Sequence, residues 1–180
     1  ILEENEICNI IDIGTGSGSI LISLIHLIKD ITPYSFTGTD ISKKALDVAK
    51  KNEESILKSK IVNWVQCNLI KGIPNIKSNT LLIANLPYIP TFMYMNLDRS
   101  VREYEPEIAL NGGTDGLKYY RELFTQIQEM SIYTKYIYLE TEESIFENTK
   151  SLIMEFFPKA NIKGIKDCFQ KDRFLLVSFP

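Results

Sequence analysis

The stretch "IIDIGTGSGS", residues 10–19, joins a short apolar run to a glycine-rich segment. Such a run is typical of a buried strand, and the apolar segment that follows is long enough for a helix. A glycine-rich turn between a strand and a helix is where an open parallel sheet binds its ligand, at the carboxyl edge. Gly14, Gly16 and Gly18 would let the backbone turn sharply and approach a ligand without interference from a Cβ atom. The stretch therefore predicts an α/β fold with a ligand site after its first strand.

Strand and helix patterns alternate along the rest of the chain. This alternation predicts a mostly parallel sheet with helices on both faces. The last two strand patterns lie too close together for a crossover helix, so we expect them to form a C-terminal antiparallel hairpin. The predicted strands are residues 7–13, 35–40, 60–66, 79–85, 136–140, 161–167 and 173–179, and the predicted helices are residues 19–30, 43–58, 116–130 and 142–157.

Two of the predicted helices have an apolar stripe, and Ser42 is a candidate N-cap for the first of these two. Residues 89–115, by contrast, contain prolines, glycines and little periodicity, and a long irregular segment inside a compact domain is usually functional. The residues that we expect to face inward are Ala45, Leu46, Ala49 and Ile56 in the helix after Ser42, and Ile145, Leu152, Ile153 and Phe156 in the last helix.

The bulk properties indicate one ordinary globular domain. A chain of 180 residues can bury roughly 70% of its unfolded surface. Its formal net charge is -3 and its pI about 5.3, which disfavours a nucleic acid as direct partner. No apolar run approaches the roughly 20 residues needed to span a bilayer, and the acidic N-terminus has neither an initiator Met nor a signal pattern. We therefore expect a cytoplasmic protein without a membrane segment, cut from a longer chain.

The cysteines and the single histidine give no metal or redox motif. Cys8, Cys67 and Cys168 are far apart and in no C-x-x-C pairing, so we expect reduced, mostly buried thiols. One imidazole cannot build a His-ligated metal centre, and His26 on an apolar helix is expected to be a packing residue. The sequence therefore predicts no metal site and no catalytic histidine.

A second carboxylate strengthens the glycine signal. Asp40 ends the second predicted strand, where its carboxylate could hold both hydroxyls of a ribose, although turn glycines with a helix-capping Asp would give the same letters. The loop reads G-x-G-x-G, whereas a dinucleotide fingerprint would read G-x-G-x-x-G. Asp12 stands directly before the loop, and a carboxylate there suits a cationic ligand better than a pyrophosphate. S-adenosylmethionine, which carries a sulfonium and an ammonium, is therefore favoured over a nicotinamide cofactor.

The stretch "IANLPYIP", residues 83–90, brings a polar side chain to the same sheet edge. Asn85 Oδ1 and the carbonyl of Leu86 could each accept one N–H of an amide or exocyclic amine, which would orient its nitrogen for methyl transfer. Pro87 would stiffen the backbone, and Tyr88 could lay its ring against a planar target group. A strand-ending Asn before a Pro turn is the structural alternative.

Residues 85–88, Asn-Leu-Pro-Tyr, form a tetrad that resembles the Asn-Pro-Pro-Tyr motif of amino-methyltransferases, with Leu86 at its second position. Asn-Leu-Pro-Tyr also resembles the form in rRNA adenine dimethyltransferases, so the tetrad alone leaves adenine and glutamine open. The stretch "VREYEPEIALNGGTDGLKYYREL", residues 101–123, strongly resembles the segment that follows the tetrad in release-factor glutamine methyltransferases. With "DIGTGSG", "YLE" and the closing "DRFLLV", this resemblance covers essentially all 180 residues.

The resemblance implies a Rossmann-like class I methyltransferase fold that uses S-adenosylmethionine and leaves S-adenosylhomocysteine. The implied substrate is the glutamine side-chain amide in the Gly-Gly-Gln motif of peptide-chain release factors, and we expect a monomer. An rRNA adenine dimethyltransferase, which should be basic, and a non-catalytic nucleoside-binding module are the alternatives. The resemblance also implies roles for individual residues. Those that would bind the cofactor are Gly14, Thr15, Gly16, Ser17 and Gly18 for its methionine part, Asp40 for its ribose, and Asn68 and Leu69 for its adenine. Those that would hold the glutamine are Asn85, which would also contact the cofactor, Leu86, Pro87 and Tyr88, and Glu105 and Pro106 would form the rim of the site.

Three departures from that family pattern accompany the resemblance. Asn68 stands where the family usually has Asp, and Leu86 where it has Pro. The family also carries an N-terminal helical domain that helps to dock the release factor, and we expect residues 1–180 to be the catalytic domain alone.

Overall fold

The structure is a computed structural model, and it describes residues 7–98 and 106–180. The strands in these two ranges are β1 (Asn9–Ile13), β2 (Ser35–Asp40), β3 (Val62–Gln66), β4 (Thr80–Ala84), β5 (Tyr136–Glu140), β6 (Asn161–Lys166) and β7 (Asp172–Ser178). The α-helices there are α1 (Ser19–Leu27), α2 (Lys43–Leu57), α3 (Thr91–Met95), α4 (Glu107–Leu110), α5 (Lys118–Glu129) and α6 (Phe146–Phe156), the last preceded by a 3-10 turn, Glu143–Ile145.

The strands form one sheet in the order β3-β2-β1-β4-β5-β7-β6. Strands β1 to β5 are parallel, and β7 runs antiparallel to both β5 and β6. The predicted parallel sheet with a C-terminal antiparallel hairpin is therefore confirmed. The order changes direction at β1, which lies between β2 and β4, and the loops after β1 and β4 leave the same edge side by side.

Apolar side chains fill the space between this sheet and helices on both of its faces. Side chains alternate along β1 and β4, as a strand requires, so that each strand contributes to two separate cores. All five residues of β4 are buried, as the predicted continuous apolar run requires. Each fully buried Leu or Ile stabilises the fold by about 1.5–3 kcal/mol. One core contains Ile10, Leu21, Ile25, Phe36, Leu81 and Ile83, and the other contains Ile11, Ile13, Leu82, Tyr120, Phe124, Ile137 and Ile153.

Helix α2 differs from the sequence prediction at its inward face. Ser42 caps the helix as expected, since its side chain accepts from the Ala45 N–H at 3.3 Å. Ile56, however, is 53% exposed, and Glu53 takes the inward position at 2% exposed. The Glu53 carboxylate accepts three hydrogen bonds from the start of β3, which compensate for its burial. A search for apolar letters overlooks such a residue, because its partners come from another element.

Helix α1 and the cysteines also differ from expectation. The helix ends at Leu27, where residues up to 30 were predicted, and its buried stripe leaves His26 exposed, so the packing role predicted for this histidine is wrong. Cys8 and Cys67 are half-buried and Cys168 is exposed, which also corrects the prediction of mostly buried thiols; all three are free. Within residues 7–98 and 106–180, no helix combines the length and apolar character needed to cross a membrane.

Candidate functional site

The glycine loop after β1 adopts a backbone that requires glycine. Gly14, Gly16 and Gly18 have φ angles of 68°, 56° and 78°, in the left-handed region. A Cβ atom at Gly18 would lie 2.9 Å from the Trp64 ring, whereas one at Gly16 would meet nothing within 4 Å. The last residue of the loop, Gly18, is therefore packed against Trp64 of β3. The middle of the loop, at Gly16, faces open space at the carboxyl edge of the sheet.

Asp12 supports this loop from inside the protein. Its side chain is 1% exposed, and its Oδ2 accepts from Thr15 Oγ1 at 2.5 Å. Burial raises the pKa of Asp12 to about 6; the Thr15 hydrogen bond opposes this shift, and the nearby Asp40 carboxylate adds to it. Asp12 and Asp40 thus form a pair of acids beneath and beside the loop, which favours a positively charged ligand group there.

Asp40 connects the end of β2 to the same loop. Its Oδ2 accepts from the Gly16 N–H at 2.9 Å, and its Oδ1 accepts from the Ser42 N–H at 2.8 Å. A carboxylate oxygen can accept more than one hydrogen bond, so both oxygens retain acceptor capacity. Asp40 is therefore held in a fixed orientation next to Gly16 with free lone pairs.

The turn after β3 completes this side of the site. Asn68 is exposed, and Leu69 is buried with a φ of 53°. The Leu69 carbonyl accepts from Thr39 Oγ1 at 2.8 Å, which ties the turn to the end of β2. The predicted cofactor-binding residues at the ends of β1, β2 and β3 thus lie along one sheet edge. They are the glycine loop, Asp40, Asn68 and Leu69.

Asn85 directly follows β4, and the pairing of Ile13 with Ala84 brings it beside the start of the glycine loop. Its side chain is exposed and has no hydrogen-bond partner among the described residues. Leu86, in contrast, is 2% exposed, and its Cδ2 lies 3.0 Å from where a Cβ atom on Gly14 would be. The buried Leu86 therefore anchors the tetrad to the loop, while the Asn85 carboxamide is available to a ligand.

The rest of the tetrad rests on the segment before α5. The N–H of Gly112 donates to the Ile89 carbonyl at 2.8 Å, and the Ile89 N–H donates to the Leu110 carbonyl at 3.0 Å. A Cβ atom on Gly112 would lie 2.7 Å from the Pro87 carbonyl oxygen, so only glycine allows this approach. The irregular segment predicted to be functional thus packs against the tetrad backbone. Pro106 is exposed before α4, and Glu105 lies outside the described residues.

Sequence reasoning noted Glu140 only as the last residue of the stretch "YLE" and assigned it no role. Because Ala84 pairs with Leu139, Glu140 ends β5 beside Asn85. The half-buried Tyr88 hydroxyl donates to Glu140 Oε1 over a long 3.5 Å, and burial, together with this carboxylate, raises the pKa of Tyr88. Burial likewise raises the pKa of Glu140, while the Arg173 guanidinium opposes the shift. The stretch "YLE" does not show this contact, which follows from the strand register.

A separate cavity of about 420 Å³ lies at the opposite edge of the sheet. Its lining includes Ser78 and Thr134, which precede β4 and β5, together with Phe157 and Phe179. It is therefore remote from the glycine loop and the tetrad, which leave the sheet at the carboxyl ends of the strands.

Comparisons with known proteins identify the family of this chain. A family model described as a methyltransferase domain matches residues 4–155. The chain is 33% identical to the release factor glutamine methyltransferase of Bradyrhizobium diazoefficiens over 162 residues, which cover 87% of the chain and 53% of that protein. It is 32% identical to the protein of the same name from Lactococcus lactis over 179 residues, which cover 98% of the chain and 64% of that protein. The chain thus spans between half and two thirds of the length of these curated relatives.

Solved structures share the fold at lower sequence identity. A ribosomal protein L11 methylase from Lactobacillus delbrueckii matches with a TM-score of 0.63 and 14% identity, covering 96% of this chain and 70% of that one. A methyltransferase from Pyrococcus furiosus matches with a TM-score of 0.64 and 16% identity, covering 99% of this chain and 78% of that one. At such identities the likeness concerns the fold alone.

Proposed function

Because the chain belongs to the methyltransferase-domain family, we propose that it methylates the glutamine side-chain amide in the Gly-Gly-Gln motif of peptide-chain release factors, with S-adenosylmethionine as donor. Relatives that carry this activity in their names match most of the chain at 30% identity or more. The observation that carries the proposal is Asn85. Its carboxamide is exposed beside the glycine loop and has no hydrogen-bond partner among residues 7–98 and 106–180, and the backbone that follows it is held by hydrogen bonds to residues 110–113.

The residues around the glycine loop fit the proposed cofactor. The loop from Gly14 to Gly18 would hold the methionine part, with Asp12 and Asp40 supplying negative potential for its ammonium and sulfonium. The free lone pairs of Asp40 suit the two ribose hydroxyls, and Asn68 with Leu69 would flank the adenine. When bound, S-adenosylmethionine supplies an electrophilic methyl group. The open space at Gly16 supports this assignment, because any side chain there would fill the place of the ligand.

The tetrad would hold and orient the acceptor nitrogen. Asn85 Oδ1 and the Leu86 carbonyl would each accept one N–H of the glutamine amide, which fixes the direction of the nitrogen lone pair. The same two oxygens favour the positive charge that develops on the nitrogen. A methylated amide nitrogen is briefly cationic and acidic, so its proton can leave afterwards without a strong general base. The exposed His26 on α1 is accordingly not part of the proposed mechanism.

Tyr88 would give the amide a flat surface. Its ring is half-buried, and the hydroxyl contact with Glu140 limits its rotation. The substrate would be a protein loop and not a nucleic acid, in keeping with a net charge of -3. With release factors as partners, we also propose a cytoplasmic location and a monomer that presents one site per chain.

The test is a methyl-transfer assay on a release-factor domain that carries the Gly-Gly-Gln motif, compared with its Gln→Ala form. Asn85→Ala should reduce transfer by about 100-fold or more, since it removes an oriented acceptor, and should leave affinity for S-adenosylhomocysteine within about twofold. Asn148→Ala, at an exposed position on α6, is the matched control and should be unaffected.

Three results would count against the proposal. A fully active Asn85→Ala variant would remove the role of the carboxamide. Methylation of an rRNA adenine in place of the glutamine would favour the dimethyltransferase alternative. Cofactor binding without transfer to either substrate would favour a non-catalytic nucleoside-binding module.

A further inference from the structure

Helix α5 holds the turn after β3 through a chain of side-chain hydrogen bonds. Asn68 Nδ2 donates to Glu122 Oε1 at 2.6 Å, and Gln126 Nε2 lies 3.5 Å from the same oxygen. Gln126 is 1% exposed, and its Oε1 accepts from the Ile70 N–H at 3.1 Å. The helix therefore contacts the turn on both sides of Leu69, once through a side chain and once through the backbone.

The contact with Glu122 determines which edge of Asn68 faces outward. A carboxamide has a donor edge and an acceptor edge of nearly the same shape, so its orientation depends on its partners. An ionised carboxylate can only accept, so Glu122 binds the Asn68 NH2 group and not its oxygen. Asn68 Oδ1 therefore faces away from α5 and can accept a hydrogen bond there. The NH2 group is held by Glu122, so Asn68 cannot present it as a donor on the outward side.

The geometry points to Glu122 as a positioning residue that makes the site select adenine over a 6-oxopurine. This inference rests on the proposed function, in which Asn68 flanks the adenine of the cofactor. The amine at C6 of adenine is a donor, which matches Asn68 Oδ1. In hypoxanthine an oxygen replaces this amine, so two acceptors would face each other unless Asn68 turned over, and that reversal would cost the hydrogen bond to Glu122.

The same hydrogen bond predicts that the residue type tolerated at position 68 depends on the residue at position 122. A carboxylate at position 68 would stand at the 2.6 Å separation that Asn68 and Glu122 now share, and the two carboxylates would repel each other. Exchanging the two chemistries, Asn68→Asp with Glu122→Gln, would restore one donor and one acceptor. In that double variant the amide introduced on α5 could donate to the carboxylate introduced in the turn and still accept from Gln126. The introduced carboxylate could only accept from the base.

The experiment compares the affinities of the apo protein for S-adenosylhomocysteine and for S-inosylhomocysteine, measured by titration calorimetry. The parent protein should prefer the adenosine form at least about tenfold, since the inosine form leaves an acceptor facing an acceptor. Glu122→Met keeps the side-chain length but frees Asn68 to rotate, so this preference should fall below about threefold, mainly through tighter binding of the inosine form. The exchange Asn68→Asp with Glu122→Gln should restore the preference of the parent protein.

Controls separate this inference from the function on which it rests. Glu129→Met, at an exposed position on α5, should keep the parent preference; an equal loss there would mean that only helix charge matters and would overturn the inference. An unchanged preference in Glu122→Met, with normal binding of S-adenosylhomocysteine, would also overturn the inference and leave the proposed function standing. Failure of the parent protein to bind S-adenosylhomocysteine would overturn both.

Discussion

At the scale of single residues, Asp12 is a carboxyl group held inside the protein at the base of the glycine loop. Its pKa of about 6 in the folded chain is above the ordinary value of 3.8. The folded state therefore binds this proton more tightly than the unfolded state does. Between about pH 4 and pH 6 the unfolded chain loses the proton first, so the contribution of Asp12 to stability falls as the pH rises through this window.

Replacing Asp12 with Asn should make the protein more stable at neutral pH and less able to bind its cofactor. The variant and the parent protein should have similar free energies of unfolding near pH 4, and the variant should be more stable by up to about 3 kcal/mol at pH 7. Urea unfolding of both proteins at several pH values measures this difference. Asp47→Asn, at an exposed position on α2, is the control, and a difference that does not change with pH would contradict the prediction.

Residues differ in how far the sequence alone places them. The left-handed backbone of Gly14 and the position of Asn85 directly after β4 could be predicted, because glycines at a turn and the end of an apolar run leave local signals in the sequence. Glu140 and Glu122 lie in stretches that carry the family resemblance, but their contacts could not be predicted, since each is made with a side chain more than 50 positions away that only the folded sheet brings near.

At the scale of elements, α2 and β3 are joined by one buried carboxylate. Glu53 Oε1 accepts from the N–H groups of Ile61 and Val62 at 2.6 and 2.8 Å, and its Oε2 accepts from Trp64 Nε1 at 2.8 Å. The Trp64 ring in turn packs under Gly18. Helix α2 thus supports the glycine loop indirectly, through β3.

Glu53→Ala should therefore destabilise the protein by about 3 kcal/mol, because three donors would lose their acceptor inside the fold. Glu54→Ala is the neighbouring control. Glu54 is exposed and forms a 3.8 Å ion pair with Lys60, so its loss should cost less than about 0.5 kcal/mol. Chemical denaturation of both variants measures the two values, and equal effects would refute the structural role of Glu53.

The elements were easier to predict than their limits. Strand and helix types follow from apolar patterns that span many residues, and the predicted order is confirmed. The predicted end of α1 was wrong, because a stop without Gly or Pro leaves no signal in the sequence. In α2 the predicted inward residues Leu46 and Ala49 are buried, but Ile56 is exposed and the polar Glu53 takes the inward position, which an apolar pattern does not reveal.

At the scale of the whole molecule, the reversal of the strand order at β1 puts two loops side by side. The glycine loop follows β1, and the tetrad follows β4. This neighbourhood was predictable as a class, since open parallel sheets bind ligands where their strand order reverses. The packing of residues 110–116 against the tetrad was not predictable, because the irregular segment has no periodicity to read.

Ligand binding at this edge should stabilise the entire fold. S-adenosylhomocysteine at 100 times its dissociation constant should add about 2.7 kcal/mol, or a rise in Tm of about 5–10 °C. Asn85→Ala should keep most of this rise, because we propose that Asn85 acts mainly on the acceptor. Asp40→Ala should lose most of the rise, measured against its own apo form, since Asp40 orients the loop. Thermal unfolding with and without ligand measures this rise in Tm. An undiminished rise in Asp40→Ala would contradict the assignment of Asp40 to the cofactor site.

The backbone after Asn85 is fastened before any substrate arrives. Three hydrogen bonds, between Ile89 and Leu110, Gly112 and Ile89, and Thr91 and Gly113, already give this segment one conformation. This backbone therefore loses its conformational entropy when the chain folds, and it loses none again each time a substrate binds. Under the proposed function, this preorganisation would leave more of the binding energy of the Gly-Gly-Gln segment for ordering that segment itself.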